Sequence, residues 1–140
     1  MNVRELRDEF GRLFYKGQIS DNKMHGYGSY YFYNLNHDDG DIYEGDFKDN
    51  QFCGYGIYKY VNIGIYKGSW SKNMQNGRGN FYFNNGDTFD GNYKNSLRDG
   101  YGTYRYKNGH IYEGNWKNDI YNGYGELKIK TEAKYIVEIG

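Results

Sequence analysis

From Tyr66 onward, large apolar residues and glycines alternate with polar residues, and the pattern returns at a fixed interval. Tyr112, Gly114 and Trp116 occupy alternate positions, with Glu113 and Asn115 between them. A strand sends successive side chains to opposite faces, so the three share one face and the polar pair takes the other. A second alternating run follows, with Gly123, Gly125, Leu127 and Ile129 on one face. A polar stretch such as Lys117-Asn118-Asp119 joins the two runs, which predicts a hairpin closed by a longer loop. Asn85-Gly86 and Asn108-Gly109 separate one hairpin from the next, and these dipeptides favour two-residue turns that need positive φ.

The interval is visible in the aromatic-x-Gly starts at Tyr15, Tyr43, Tyr66, Phe89 and Tyr112, spaced by 28 residues once and then by 23. Self-similarity at a constant period indicates a stacked array of like units. Eleven residues after each start comes a Gly-x-Gly: Gly26-Tyr27-Gly28, Gly54-Tyr55-Gly56, Gly77-Arg78-Gly79, Gly100-Tyr101-Gly102 and Gly123-Tyr124-Gly125. A phosphate-binding loop occurs once and opens a helix, whereas this element occurs five times and precedes alternating aromatics. Glycine weakens a strand unless something must approach closely. Both glycines of the pair are therefore expected to clear space for rings of a neighbouring strand, and Gly100→Val is expected to clash with such a ring while Asn118 tolerates change. The expected core is a ladder of Tyr43, Gly45, Phe47, Tyr66, Gly68, Trp70, Phe89, Gly91, Tyr93, Tyr112, Gly114 and Trp116. The expected fold is all-β: an elongated single-layer antiparallel meander of about ten strands, roughly 45 to 50 Å long at about 4.8 Å per strand.

The ends depart from the period. Val3, Leu6, Phe10 and Leu13 recur at helical spacing, which predicts a short amphipathic helix over residues 2–10 that caps the first hairpin or docks a partner. Ile19 replaces the second aromatic of the first repeat, and residues 34–40 form an insertion. Asn62-Ile63-Gly64 shifts the turn glycine of the second repeat, so that turn is expected to differ. Tyr135-Ile136-Val137-Glu138-Ile139 reads as a terminal capping strand with Val137 in the glycine slot.

These residues carry a resemblance. Tyr-Glu-Gly-x-Trp, a polar loop, Asn/Asp-Gly-x-Gly and an aromatic pair, all recurring together, are similar to the MORN (membrane occupation and recognition nexus) repeat. The expected divisions are an N-terminal cap or helix at 1–14, repeats at 15–42, 43–65, 66–88, 89–111 and 112–134, and the cap at 135–140. The resemblance implies a non-enzymatic scaffold that binds other proteins, another MORN chain among them, in a cytoskeletal or ciliary assembly of the radial-spoke kind. It also brings two alternatives, a peripheral phospholipid-binding module and an accessory module of a larger enzyme.

Composition bears on the choice. The chain has 140 residues, 18 basic and 18 acidic, with 21 glycines, 19 tyrosines, one cysteine and no proline. Balanced charge gives no long-range attraction to nucleic acid or anionic lipid, and the outward positions Lys16, Glu44, Lys67, Asp90 and Glu113 mix signs where a nucleic-acid groove needs a basic stripe. No cofactor, metal framework or small-molecule substrate is expected. His25, His37 and His110 fall at different repeat positions, Cys53 replaces a polar loop residue, and the acidic stretch 37–41 lacks the spacing of a calcium loop. A lone cysteine, a charged N-terminus and the lack of a long apolar run point to an intracellular protein, and the family resemblance implies the cytoplasm, cytoskeleton or cilium. Candidate protein contacts are Tyr27, Tyr55, Arg78, Tyr101 and Tyr124, which face away from the ladder and are residue types that anchor interfaces. Candidate lipid contacts, ranked second, are Lys48, Lys94, Lys117 and Lys128.

Overall fold

A computed structural model describes residues 2–131 and 134–139. Twelve strands follow one another in a single antiparallel sheet, in chain order throughout. They are β1 (Val3–Arg7), β2 (Leu13–Ser20), β3 (Lys23–Tyr33), β4 (Asp39–Lys48), β5 (Gln51–Tyr60), β6 (Gly64–Ser71), β7 (Met74–Phe83), β8 (Thr88–Lys94), β9 (Leu97–Arg105), β10 (Ile111–Lys117), β11 (Ile120–Thr131) and β12 (Lys134–Ile139). The meander predicted from alternation is therefore present, with the expected capping strand at 134–139 and one strand more, at the N-terminal end.

One extra strand replaces the N-terminal helix. Residues 3–7 pair with β2 and place Leu6 beside Tyr15, while Val3 and Phe10 are exposed and share no buried face. Asp8 and Arg12 close a three-residue loop in which Gly11 takes φ 78°, and the Asp8 carboxylate accepts from the Phe10 and Arg12 amides and pairs with the Arg12 guanidinium at 2.7 Å. A nine-residue helix is too short to be stable alone, whereas a strand here satisfies the outer backbone of β2.

A single sheet has no second layer, so its core must be built on one face. Tyr15, Tyr43, Tyr66, Phe89 and Tyr112 lie flat over facing glycine pairs, Gly17/Gly28 through Gly114/Gly125. A Cβ at Gly102 would come 2.4 Å from the Phe89 ring. The tyrosine hydroxyls continue past the glycines and donate to backbone carbonyls three residues on: Tyr15 to Gln18 at 2.6 Å, Tyr43 to Asp46 and Tyr66 to Ser69 at 2.8 Å, Tyr112 to Asn115 at 3.3 Å. Phe47, Trp70, Tyr93 and Trp116 stand edge-on between the flat rings. The result is an unbroken edge-to-face series, Tyr15–Phe47–Tyr43–Trp70–Tyr66–Tyr93–Phe89–Trp116–Tyr112, with centroid separations of 5.1 to 5.5 Å. Aromatic pairs in this geometry gain about 0.5–1.5 kcal/mol beyond their buried area.

The two glycines of each Gly-x-Gly do different work, which corrects the expectation that both clear rings. Only the second lies under a ring. The first, at 26, 54, 77, 100 and 123, has φ between 58° and 94° and sits in a bulge where three residues of the second strand oppose one of the first. Opposing side chains brace this bulge: Gln18 Oε1 accepts from the Tyr27 amide at 2.6 Å and Asp46 Oδ2 from the Tyr55 amide at 3.0 Å. Gly100 has open space, its nearest side-chain neighbour being Asn92 at 3.6 Å, so a substituent there strains the backbone and meets no ring.

The turn assignment is also reversed. The two-residue turns lie within repeats, at Asp21-Asn22, Asp49-Asn50, Lys72-Asn73, Asn95-Ser96 and Asn118-Asp119, with both residues at positive φ. The loops between repeats are longer: Phe83/Asp87 and Tyr106/His110 close three-residue loops in which Gly86 and Gly109 hold the left-handed position. Val61-Asn62-Ile63 is a loop of the same length that differs, as its displaced glycine predicts, in holding no residue in the left-handed region. Asn118 at φ 49° is consequently a constrained position. The short turns are specified by tertiary bonds. Asn50, Asn73, Ser96 and Asp119 each accept through the side chain from the preceding repeat, at Met24, Phe52, Gln75 and Arg98, and donate their own amides back to the same residues.

At the far edge β12 pairs with β11, and Val137 lies opposite Lys128. The glycine slot is opposite Gly125, so Val137 does not fill it; the last residue of the expected cap lies outside the described residues.

Candidate binding groove

The alternation after each Gly-x-Gly puts two further large residues per repeat on the ring face: Tyr30 and Phe32, Tyr58 and Tyr60, Phe81 and Phe83, Tyr104 and Tyr106. They form a row beside the buried ladder. Its centroid steps are 6.1 Å from Phe32 to Tyr58, 4.2 Å to Tyr60, 5.6 Å to Phe81, 4.4 Å to Phe83, 5.7 Å to Tyr104 and 4.7 Å to Tyr106.

Across from this row stands a second wall. It consists of the residues just after the short turns, Met24, Phe52, Gln75, Arg98 and Tyr121, together with Asn50, Asn73, Ser96 and Asp119 from the turns themselves. Trp70, Tyr93 and Trp116 form the floor. Between the walls lie three adjoining depressions of about 460, 240 and 290 Å³, the first and second sharing Tyr60 and Ser96, the second and third sharing Arg98 and Asp119. They make one groove along the repeats.

The groove is aromatic but carries polar groups at intervals. Buried Gln75 donates to the Tyr60 hydroxyl at 2.8 Å. The Arg98 guanidinium lies 4.4 Å over Trp116 and 5.6 Å from Phe89 and Tyr104, and binds Asp119 through Oδ1 at 3.1 Å and through the carbonyl at 3.0 Å. Burial holds the phenols neutral: Tyr60 is pushed up to about 12, and Tyr58 and Tyr104 rise further because burial acts together with hydrogen bonds to Asp41 and Asp87. The hydroxyls of Tyr106 and Tyr121 are in contact across the groove's last segment.

The side chains singled out from sequence lie elsewhere. Tyr27, Tyr55, Tyr101 and Tyr124 are exposed on the opposite face, between 53% and 62% accessible. Tyr27 donates to Glu44 at 2.9 Å, and Arg78 pairs with Asp90 at 2.8 Å. The four lysines are not drawn together. Lys48, Lys94 and Lys117 sit beside the short turns, whereas Lys128 lies opposite Ile111 at the other end of its hairpin, about 20 Å from Lys117, and contacts Glu113 at 3.5 Å. The Cys53 thiol is pushed up by burial and by Asp46, the reverse of an activated nucleophile. Asp41 of the acidic insertion braces the hairpin, accepting from the Tyr58 hydroxyl and the Val61 amide at 2.9 Å.

The sequence reading missed the wall from Met24 to Tyr121. Each of these residues stands nine positions after its repeat's first aromatic and two before its Gly-x-Gly, and the column changes chemistry from repeat to repeat while that aromatic and those glycines recur. That variability on a constant frame was the available signal.

A sheet of repeated hairpins with an aromatic groove along one face defines a β-repeat array of the binding-scaffold class. The MORN repeat pattern matches residues 15–36, 43–62, 66–88, 89–111 and 112–130, and the chain belongs to the MORN repeat family. MORN repeats are in general non-catalytic modules that bind proteins or lipids. Comparison with curated proteins gave no match.

Proposed function

We propose that this chain is a non-enzymatic scaffold that binds other proteins through the ring-face groove. The observation carrying this reading is the continuity of the groove: one wall and the floor are rows of rings already held in place by their neighbours, so a partner gains apolar contact with little further ordering of the protein. Tyrosine, tryptophan and arginine, the residue types that dominate interface energetics, are among the residues that line it. The lipid reading is weaker because it needs a basic cluster, and its four lysines divide between the two ends of the hairpins. A cytoskeletal or ciliary assembly is the setting we propose, with another MORN chain among the partners; the family resemblance supports that setting.

The test compares faces. Phe32→Ser with Tyr121→Ser alters exposed groove residues, and Tyr55→Ser with Tyr101→Ser alters the opposite face. Quantitative affinity capture should lose the same set of proteins in the groove variant and retain it in the other. Retention by the groove variant would overturn the assignment. So would salt-sensitive sedimentation with phosphatidylserine vesicles that disappears when Lys94, Lys117 and Lys128 are changed to Glu.

A further inference from the structure

The groove has a period, and the period restricts what can lie in it. Each repeat adds two strands, about 9.6 Å along the sheet, and the zigzag path through the ring centroids, with steps of 5.6, 4.4 and 5.7 Å from Tyr60 to Tyr104, bounds the repeat at about 10 Å. An α-helix presents the same face every seven residues, about 10.5 Å, and slips by roughly 3 Å over three repeats. An extended strand presents the same face every two residues, about 6.7 Å, and falls out of phase at once. A polyproline II helix rises about 3.1 Å per residue with three residues per turn, about 9.3 Å, and stays within roughly 1 Å over three repeats.

Hydrogen bonding favours the same occupant. Polyproline II backbone has no internal hydrogen bonds, and proline contributes a carbonyl without an N–H, so such a segment brings acceptors that need donors. Most of the groove's carboxylates and side-chain carbonyls already accept a hydrogen bond: Asp41 from Tyr58 and Val61, Asp87 from Tyr104 and Lys107, Asp119 from Arg98, and Asn50 and Asn73 Oδ1 from the Met24 and Phe52 amides. Donors remain beside them. The Tyr60 hydroxyl accepts from Gln75, and among the described residues its own proton has no acceptor. Asn50 and Asn73 line the first depression, and with Oδ1 engaged each has its Nδ2 left to donate.

Charge orients the occupant. A side depression of about 310 Å³ opens off the groove at Phe32 and is lined by Asp39 and Asp41. The guanidinium near it, Arg12, stacks 4.6 Å over Tyr33 and is neutralised by Asp8 at 2.7 Å, which leaves this end negative.

Resting on the assignment of the groove as the partner site, we propose that it recognises a proline-rich segment in the polyproline II conformation, with a lysine or arginine beside Asp39 and Asp41. Aromatic ridges spaced by one turn take the proline rings, and the free donors take the carbonyls.

The experiment uses fluorescein-labelled peptides of Pro-Pro-Leu triplets spanning three repeats, with one arginine at either end, titrated by anisotropy. One of the two should bind saturably. Replacing its prolines by glycine should weaken binding about tenfold or more, as should Phe32→Ser or Phe83→Ser in protein that keeps the wild-type melting temperature. Asp39→Lys should weaken the arginine peptide and leave its alanine counterpart unchanged. Equal binding of the proline and glycine peptides, tighter binding of a helical Ala-Leu-rich peptide, or no binding of either proline peptide would overturn the proposal. Failure here with loss of captured proteins in the Phe32→Ser, Tyr121→Ser variant refutes the proline specificity alone. Failure of both refutes the groove.

Discussion

The two faces of this sheet are made from the same strands and share one backbone, yet they solve different problems. The ring face buries Tyr15, Tyr43 and Tyr66 completely without a second layer. It does so by laying flat rings on glycine and wedging edge-on rings between them. The opposite face carries Tyr27, Tyr55, Tyr101 and Tyr124 in an equally regular column and leaves each about half exposed. Periodicity therefore does not separate a core from a surface. The glycine pair beneath the ring does, because only a missing Cβ lets an aromatic plane touch backbone.

The contrast can be tested from both sides. The largest effect should come from alkali. Tyr15 and Tyr60 are pushed up to about 12 by burial, and Tyr43, Tyr58, Tyr66, Tyr93, Tyr104 and Tyr121 rise further for the same leading reason. A folded state that holds these protons beyond the unfolded value of about 10 has their full stabilisation below that pH and loses it as pH rises through about 12. Thermal melting should be flat up to about pH 9 and fall steeply above about pH 10, with tyrosinate absorbance rising in step. A melting temperature unchanged at the upper end would mean that the rings are not buried as described.

The next effect separates the two glycines. Gly102→Ala drives a methyl into the Phe89 ring and should cost about 3 kcal/mol in denaturant unfolding. Gly100→Ala has space but a φ of 94°, and should cost about 1–2 kcal/mol of backbone strain. Equal costs would erase the distinction between ring seat and bulge. The smallest effect belongs to the opposite face: Tyr101→Ser should change stability by no more than about 0.5 kcal/mol. A loss near that of Gly102→Ala would make the opposite face a second core.

Much of this was legible in order alone. The period, the strand alternation, the identity of the ladder residues and the family follow from residues such as Tyr112, Gly114 and Trp116, because alternation and repetition are local and survive without coordinates. What escaped was set by contacts between repeats. Lys72-Asn73 carries no glycine and does not read as a tight turn, yet Asn73 holds a left-handed conformation while its side chain and amide bind Phe52 one repeat away. Val3, Leu6 and Phe10 fit a helix by spacing, but the open backbone of β2 offered a strand more hydrogen bonds.

Sequence by itself determined that this protein is a MORN array with rings seated on glycines, since a repeated residue pattern leaves a repeated sheet few alternatives. Tertiary structure alone decided which glycine of each pair is a seat and which a bulge, which loop is tight, and that the residues nine places after each first aromatic come together as the wall of a groove. Those outcomes depend on register between strands up to 26 residues apart, as in the bond from the Met24 amide to Asn50, and register is set by packing across the sheet, which no single repeat contains.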